Sequence, residues 1–373
     1  MSFLDEIQGY EPSDILARID AKTTLDVERA LHAERLRIED YMALISPAAV
    51  PYIEQMAKKA HLLTRQRFGS TILMYAPLYL SNLCTNGCLY CGFNATNRVP
   101  RQTLTFDEIE REATVLHNRG FRHILLVTGE APNAVDNDYL AAAVRKIRHL
   151  FSSISIEVYP MDEEGYREMV EAGVDGLTIY QETYDRDLYA TMHPFGRKRD
   201  FAYRLLAPER GGAAGLRKIG IAALLGLGNV RFEGFMTGLH ALYLSRHYWR
   251  THLTVSFPRM RPAEGGFSPP NPVSDREFVQ LICALRLLLP DAGLVLSTRE
   301  SAELRDNLLP LGITQMSAGS CTAPGGYAGE EESTRQFTID DDRTHEQVEQ
   351  MIRSKGYEVI WKDWDRAFLD QAV

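Results

Sequence analysis

Three of the five cysteines, Cys84, Cys88 and Cys91, lie within eight residues, in the string SNLCTNGCLYCGF at 81–93. Thiolates this close in sequence can converge on one metal centre. A structural zinc site takes four ligands, and no fourth Cys or His lies nearby. A cubane iron–sulfur cluster is held by thiolates, and three of them leave one iron open to a small molecule. The spacing therefore predicts a [4Fe–4S] cluster, with a partial zinc site as the alternative.

The other two cysteines stand apart from this cluster, and the odd total argues against a disulfide framework. Cys283 lies in an apolar helical pattern, so we expect it to be a helix-core residue. Cys321 is far away in sequence and lies beside two glycines. We predict that it is an unligated thiol and not a fourth cluster ligand.

The elements that must position these groups alternate along the chain. Short apolar segments predict strands at 72–80, 123–128, 154–159, 176–180, 219–226, 252–257, 293–298 and 313–317. Amphipathic stretches that predict helices lie between most of them, including 107–118, 137–150, 163–172 and 275–289. Alternation of this kind indicates α/β structure with parallel strands. Eight strands is the number in a closed (β/α)₈ barrel of the TIM type, while an open doubly wound sheet is the alternative.

Residues uncommon in a core follow nearly every predicted strand. They are the cysteine cluster, Glu130, Tyr159, Gln181 with Glu182, Arg259, Arg299, and Ser317 with Ser320. In barrel enzymes the loops at the carboxyl ends of the strands form the active site. We therefore expect these side chains to meet at one end of the barrel.

Two extensions flank the predicted barrel, which we place at 66–320. Residues 1–65 are predicted to form a helical N-terminal extension, with the apolar residues of 24–41 at helical spacing. Residues 321–373 are predicted to form a small C-terminal extension of one helix and one short strand. We expect this extension to pack on the barrel because Trp361 and Trp364 need burial.

Charge and hydropathy exclude several other classes of protein. The chain has 41 basic and 50 acidic residues, a net charge of −9, which does not favour nucleic acid or an anionic membrane as a partner. The N-terminus has early acidic residues and no apolar signal segment. The best apolar run, at 219–228, is half the length of a membrane span. We expect a cytoplasmic protein.

The cysteine motif resembles that of the radical S-adenosylmethionine (SAM) superfamily. The resemblance implies that the open iron binds SAM and that an electron from the cluster cleaves it to methionine and a 5′-deoxyadenosyl radical. Tyr90 has the position of the aromatic residue that packs near the adenine. Thr128, Gly129 and Glu130 resemble the segment that binds the SAM amino group, with Thr in place of its first Gly. Gly226 ends a segment similar to one that lies along the adenine.

Longer strings resemble a narrower group, the 2-iminoacetate synthase family of bacterial thiamine (thiazole) biosynthesis, from about residue 30 to the end. They lie at 180–184 (YQETY), 192–206 (MHPFGRKRDFAYRLL), 246–250 (RHYWR), 254–262 (TVSFPRMRP), 296–301 (LSTRES), 317–327 (SAGSCTAPGGY) and 361–365 (WKDWD). The resemblance implies a lyase that cleaves the Cα–Cβ bond of L-tyrosine. Its products are 2-iminoacetate (dehydroglycine) and 4-cresol, with SAM converted to 5′-deoxyadenosine and methionine.

The family resemblance also implies roles for rim residues. Arg299 has the position of the arginine that binds the substrate carboxylate, and a guanidinium suits this role because it donates two parallel hydrogen bonds. Ser317, with Ser320 as its neighbour, has the position of the residue beside the substrate amine. Glu182 and Arg204 are expected to bind the ribose hydroxyls and the methionyl carboxylate of SAM. Two further rim candidates are Tyr159 for SAM and Gln181 for substrate.

The implied partners are L-tyrosine, a low-potential electron donor (flavodoxin or ferredoxin) and a thiazole synthase that receives the product. Three alternatives remain. A radical lyase or mutase could act on tryptophan or another aromatic amino acid. A hydrogenase-maturation tyrosine lyase is disfavoured because that enzyme has extra C-terminal cysteines, and no cysteine follows Cys321. A non-enzymatic metal-binding scaffold is the alternative from a different class.

Overall fold

The computed structural model describes residues 2–329, 334–363 and 365. Its centre is a closed barrel of eight parallel strands, with a ninth strand paired to the outside of the first. The strands are β1 (Thr71–Ser81), β2 (His123–Thr128), β3 (Ser153–Glu157), β4 (Gly176–Glu182), β5 (Lys218–Ala223), β6 (His252–Ser256), β7 (Gly293–Leu296), β8 (Gln315–Ser317) and β9 (Glu358–Ile360).

The barrel closes through β1, which pairs with β8 at Leu73–Tyr75 and with β2 at Ala76–Ser81. Every other barrel strand pairs in parallel with the next in sequence. The crossover helices lie outside, so each strand is covered on its outer face, as expected for parallel sheets. The predicted fold class, a (β/α)₈ barrel, is confirmed, and the open-sheet alternative is excluded.

The α-helices precede, surround and follow this barrel. They are α1 (Phe3–Glu6), α2 (Pro12–Asp20), α3 (Thr24–His32), α4 (Ile38–Leu44), α5 (Ile53–Phe68), α6 (Phe106–Asn118), α7 (Asn137–Ile147), α8 (Glu163–Ala172), α9 (Arg186–Met192), α10 (Phe201–Leu205), α11 (Ala207–Ala213), α12 (Val230–His247), α13 (Asp275–Leu288), α14 (Ala302–Leu308) and α15 (His345–Ser354). Among the described helices, none combines the length and apolar character that crossing a bilayer requires.

The N-terminal helices pack against the outer layer of the barrel. The Tyr41 hydroxyl donates to the Gly234 carbonyl at 2.9 Å, and the Gln280 amide donates to the carbonyls of Leu44, which ends α4, and of Ser46. The helix expected across 24–41 is two helices, because Ala33 is extended and ends α3. The Arg37 amide then donates to Asp40 Oδ2 at 2.9 Å, which helps to start α4 in a new direction. This break lets α4 bury Tyr41 through Leu44, which one straight helix would not do.

The C-terminal segment closes over the other end of the same strands. β9 pairs with Thr71–Leu73, the first residues of β1. The Trp361 ring packs edge-to-face on Phe121, with ring centroids 5.1 Å apart. Trp361 therefore packs against the barrel's outer layer, as its sequence suggested, whereas Trp364 lies outside the described residues. Cys283 is fully buried in α13, as expected for a core residue.

Candidate active site

The cysteine loop leaves β1 at the carboxyl end of the barrel and is held by backbone hydrogen bonds from two other segments. The Leu89 and Gly87 amides donate to carbonyls of the 192–195 segment, both at 3.1 Å, and the Gly92 amide donates to the Gln336 carbonyl at 3.1 Å. Gly129, at the end of β2, allows the loop to approach closely, because a Cβ there would lie 2.1 Å from the Leu83 carbonyl oxygen. The three cysteines therefore sit on a constrained loop.

All three cysteines are free thiols in a largely water-excluded region. Burial raises the pKa of Cys84 and Cys88, and that of Cys91 to about 11, while the positive charge of Lys198 lowers all three. Buried thiolates therefore need a cation, and a metal centre supplies one. Within the described chain, no three His, Cys, Asp or Glu side chains are arranged to hold a single ion. A cubane cluster accepts each thiolate on a different iron, so it does not require the three sulfurs to converge on one ion.

Four buried charged side chains of alternating sign lie beside the cysteine loop, and we name them the charge cluster. They are Glu130, Arg204, Glu182 and Lys198. Arg204 Nη1 lies 2.6 Å from Glu130 Oε1, and Lys198 Nζ lies 2.6 Å from Glu182 Oε1. Arg204 Nη2 lies 3.8 Å from the same Glu182 oxygen. Burial opposes both positive charges, but the neighbouring carboxylates raise the pKa of Arg204 and Lys198, so both stay protonated.

Backbone and amide groups complete this cluster. Arg204 Nε donates to the Tyr180 carbonyl at 2.7 Å, and Asn86 Nδ2 donates to Glu130 Oε2 at 2.8 Å. Asn86 lies between Cys84 and Cys88 in sequence, so it connects the cluster directly to the cysteine loop. Because Glu130, Glu182 and Arg204 are each at most 8% exposed, they form a preorganised polar site with little competing water.

Glu182 has a left-handed backbone conformation, with φ 71°, the one positive φ among the described non-glycine residues. It ends β4 at a register shift, where Glu182 and not Gln181 pairs with Ala223. Such a conformation costs of order 1–3 kcal/mol and tends to occur at functional sites. Both polar atoms of the Gln181 amide are buried without a hydrogen-bond partner. The strained end of β4 thus carries one oriented carboxylate and one unsatisfied amide.

Tyr90 packs at the inner side of the cysteine loop. His193 Nδ1 donates to the Tyr189 carbonyl, so its Nε2 accepts a hydrogen bond from the Tyr90 hydroxyl at 2.8 Å. Burial, reinforced by the charge of Lys198, lowers the pKa of His193 to about 2, which keeps this ring neutral. Lys198 Nζ lies 5.8 Å from the Tyr90 ring centroid. Tyr90 therefore lies between the cysteines and the charge cluster.

Arg299 and Ser317 lie on the opposite side of the barrel mouth. The Arg299 guanidinium stacks on the Phe337 ring at 3.4 Å and forms no ion pair with any described residue. Its neighbour Glu300 pairs instead with Arg259. Ser317 Oγ accepts a hydrogen bond from the Thr298 amide at 3.2 Å. Arg299 is thus a cation at the mouth with no carboxylate partner in the part of the chain that the structure describes.

The remaining predicted site residues are Thr128, Ser320, Gly226 and Tyr159. Thr128 and Ser320 each have a buried hydroxyl without a partner. Gly226 has φ 113° and turns the chain after β5, beside Met260 and Pro269. Tyr159 does not join the charge cluster, because its hydroxyl donates at 2.9 Å to Asn137, at the start of α7. Its side chain faces the outer helices, an orientation that the position of Tyr159 after β3 did not indicate.

Sequence reasoning missed three residues of this region: Asn86, Glu157 and Lys198. Lys198 lies within a string that carried the family resemblance, but only the fold shows that it turns inward while Arg197 and Arg199 stay exposed. Glu157 ends β3 and makes no hydrogen bond or ion pair with the described residues. Burial raises its pKa to about 7, although the charge of Arg299 acts in the opposite direction. Its position as the last residue of a strand was the available signal.

Two family models match the chain: "Radical SAM superfamily" over residues 78–237 and "Biotin and Thiamin Synthesis associated domain" over residues 256–358. The 2-iminoacetate synthase of Escherichia coli (strain K12) is 48% identical over 98% of this chain and 97% of its own length. The same enzyme of Salmonella typhimurium is 47% identical over the same shares.

Solved structures agree on the fold. The crystal structure of HydG, a maturase of the [FeFe]-hydrogenase, has a TM-score of 0.88 and 30% identity, covering 96% of this chain and 82% of that one. Methylornithine synthase, at 22% identity with a TM-score of 0.74 over 93% of this chain and 100% of that one, shares the barrel. This chain has the cysteine loop, and it is 47–48% identical to two 2-iminoacetate synthases over 98% of its length. It therefore belongs to the 2-iminoacetate synthase family of the radical SAM superfamily.

Proposed function

We propose that this chain cleaves the Cα–Cβ bond of L-tyrosine to 2-iminoacetate and 4-cresol, with SAM converted to 5′-deoxyadenosine and methionine, as a step toward the thiazole of thiamine. The similarity to curated 2-iminoacetate synthases over nearly the whole chain supports this activity. The observation that carries this proposal is that the cysteine loop and the charge cluster lie side by side. Asn86 of the loop donates a hydrogen bond to Glu130 of the cluster.

Cys84, Cys88 and Cys91 would hold a [4Fe–4S] cluster. Three thiolates suit such a cluster with one iron left for SAM, and Lys198 reduces the cost of gathering their negative charge. When bound, the cluster supplies the electron that cleaves SAM and produces the radical that attacks tyrosine. The chain's own contribution is to hold these thiolates on a loop that other segments constrain from both sides.

The charge cluster would bind the amino-acid part of SAM by exchanging partners. That part carries one ammonium and one carboxylate, and the Glu130–Arg204 pair offers the opposite charges. Glu130 would take the ammonium and Arg204 the carboxylate, so no buried charge would be left alone, which is the condition for stable buried ions. Glu182, oriented by its strained backbone and by its ion pair with Lys198, would accept hydrogen bonds from the ribose hydroxyls. Tyr90, Thr128, Gly129 and Gly226 would line the rest of the SAM site.

Arg299 would bind the tyrosine carboxylate, because it is the cation at the mouth without a carboxylate partner in the described chain. Its guanidinium is already oriented by stacking on Phe337. Ser317 would lie beside the substrate amine. The buried, unpartnered groups of Gln181 and Ser320 are further substrate contacts, since an unsatisfied buried polar group is costly unless a ligand completes it. Tyr159 faces the outer helices and is left out of the SAM site.

The same arrangement would exclude water from the reaction. Glu130, Glu182 and Arg204 at this end of the barrel are almost fully buried, and a reactive carbon radical needs such a closed site to avoid side reactions. Outside the barrel, the family relationship supports two partners: a low-potential electron donor, flavodoxin or ferredoxin, and a thiazole synthase that accepts the imine.

Anaerobic incubation of the reconstituted protein with SAM, a reductant and either tyrosine or tryptophan tests this function. We expect 4-cresol and glyoxylate, from hydrolysed imine, with tyrosine and no lyase products with tryptophan. Tryptophan cleavage without 4-cresol formation would assign the chain to another aromatic amino acid. Absence of 5′-deoxyadenosine with every substrate, from protein that retains its cluster, would contradict a radical SAM lyase.

A further inference from the structure

The interior of this barrel contains a small cavity. Barrel enzymes usually fill this space with layers of bulky branched side chains. Here several mid-strand residues are partly exposed although helices cover the outer face, among them Tyr75, Thr178 and Tyr180. They line an internal cavity of about 40 Å³, enough for about three water molecules. Its wall is mostly apolar, but Lys218, His123 and Gln315 place a few polar groups on it, a combination typical of small-molecule sites.

Two tyrosines, Tyr75 and Tyr180, form the part of the cavity wall nearest the barrel mouth. Tyr75 interacts through its hydroxyl with Ser317, and Tyr180 interacts with Ser256. Arg299 is close enough to influence the pKa of both tyrosines. The rest of the cavity lies below these tyrosines, under the proposed substrate site.

We name this lower space the floor chamber. The residues that define it below the tyrosines are His123, Ser155, Thr178, Lys218, Gly220, Thr254 and Gln315. His123, Lys218 and Gln315 are the first residues of β2, β5 and β8. Gly220 keeps the chamber open, because a Cβ there would lie 2.9 Å from Thr254 Oγ1 and 3.1 Å from Thr178 Oγ1. The chamber thus lies at the end of the barrel opposite the cysteines.

Two groups of the floor chamber lack partners that their chemistry requires. Lys218 makes no ion pair or side-chain hydrogen bond with any described residue. Burial lowers the pKa of Lys218, and the nearby Asp175, already paired with Arg217 at 2.7 Å, only partly offsets this. His123 is 2% exposed and its Nδ1 has no partner. Its Nε2 lies 2.8 Å from Asp363 Oδ1 and 3.3 Å from the Asp363 amide nitrogen. We assign the proton to Nε2 because the contact with the carboxylate is the shorter one, and this leaves Nδ1 as an acceptor.

We propose that the floor chamber binds the two-carbon imino acid product, with Lys218 holding its carboxylate and His123 Nδ1 accepting from its imine N–H. This inference rests on the proposed function. 2-Iminoacetate has five non-hydrogen atoms and suits the small cavity, whereas 4-cresol has eight and no negative charge. The imine hydrolyses readily, so a polar site below the tyrosines would hold it away from bulk water after tyrosine is cleaved.

Oxamate, a planar two-carbon acid with N–H donors, is a stable probe for this site. Its dissociation constant can be measured by calorimetry on the reconstituted enzyme, alone and in the presence of saturating tyrosine. We expect oxamate to bind in both cases. Lys218→Met should weaken it at least about tenfold, as for loss of a charged hydrogen bond, while Lys218→Arg retains binding. Tyrosine affinity should change less than twofold in Lys218→Met.

Three further variants keep the test decisive. Gly220→Ala narrows the chamber without touching Lys218 and should also weaken oxamate binding. Arg217→Met, which removes a neighbouring charge paired with Asp175, should not, and neither should Arg299→Ala. Competition between oxamate and tyrosine, or loss of oxamate binding in Arg299→Ala, would place the probe at the mouth and overturn the proposal. Lys218-dependent binding of 4-cresol instead of oxamate would also overturn it.

The wild-type enzyme distinguishes this inference from the proposed function. Formation of 4-cresol from tyrosine without any oxamate binding would overturn the product site alone. Failure to form 4-cresol would overturn the function on which the product site depends.

Discussion

Arg204 Nη1 and Glu130 Oε1 lie 2.6 Å apart in a region where both side chains are at most 10% exposed. A buried pair of this kind contributes modestly to stability, but removing one partner strands a buried charge. The pair lies on two different crossover segments, after β2 and β4. In our proposal the same two side chains bind SAM, so a change in the pair should affect both SAM binding and the structure of the barrel mouth.

Arg204→Met should lower the free energy of unfolding by about 3–5 kcal/mol, because Glu130 would remain buried without its cation. SAM should restore part of that loss, since its ammonium can pair with Glu130. Urea unfolding with and without SAM measures both effects. Arg199→Met is the matched control, because Arg199 is exposed and in the same segment. Equal destabilisation by the two substitutions would contradict the role given to the pair.

Replacing Cys84, Cys88 or Cys91 by Ala should abolish both cluster assembly and 5′-deoxyadenosine formation. Each thiolate binds a different iron in the proposed cluster, so two ligands should not retain it. Iron and sulfide analysis with product chromatography gives the measurement. Cys321→Ala is the control and should leave iron content unchanged. Turnover that survives any of the three substitutions would refute the ligand assignment.

Arg299→Ala should weaken tyrosine binding roughly 10- to 100-fold, the range for a lost charge-assisted hydrogen bond. SAM binding should change little, because the SAM site depends on the charge cluster on the other side of the mouth. The dissociation constants of tyrosine and of SAM, measured for the wild-type protein and for Arg299→Ala, test this prediction. Arg259→Ala removes a nearby arginine that pairs with Glu300 and Asp275, and serves as the comparison. Similar losses for tyrosine and SAM would move Arg299 out of the substrate site.

Glu157 should make stability depend on pH in a defined direction. Burial raises its pKa from the ordinary 4.5 to about 7, so the folded protein holds this proton more tightly than the unfolded chain. The contribution of this proton to the free energy of unfolding is complete below pH 4.5 and is lost as pH rises through about 7. Glu157→Gln should therefore flatten that part of the profile. The difference between the wild-type and variant unfolding free energies, measured from pH 5 to 8, tests this, and parallel profiles would contradict it.

Much of this fold followed from periodicity. Strand candidates such as 123–128 coincide with observed strands because buried parallel strands are short and apolar. The break between α3 and α4 did not follow, because Leu36 and Ile38 continue the helical spacing and the turn is set by tertiary burial.

Site residues could be predicted where a polar residue type directly follows a strand. They could not be predicted where membership of the site depends on the direction in which a side chain or backbone points. Glu130 and Glu182 meet as expected from residues that follow strands, whereas Arg204, in α10, was expected there only from the family resemblance. Neither the left-handed backbone of Glu182 nor the inward turn of Lys198 is visible in spacing. The cavity inside the barrel was also missed. Lys218 and His123 begin apolar strands and resemble solvent-facing ends until the closed sheet shows that they face inward.

Anaerobic reconstitution followed by EPR spectroscopy tests the central claim most directly. The account predicts about four irons and four sulfides per chain and a reduced-cluster signal that changes when SAM is added. Tightly bound zinc without iron, or a four-iron cluster whose signal is indifferent to SAM, would contradict it.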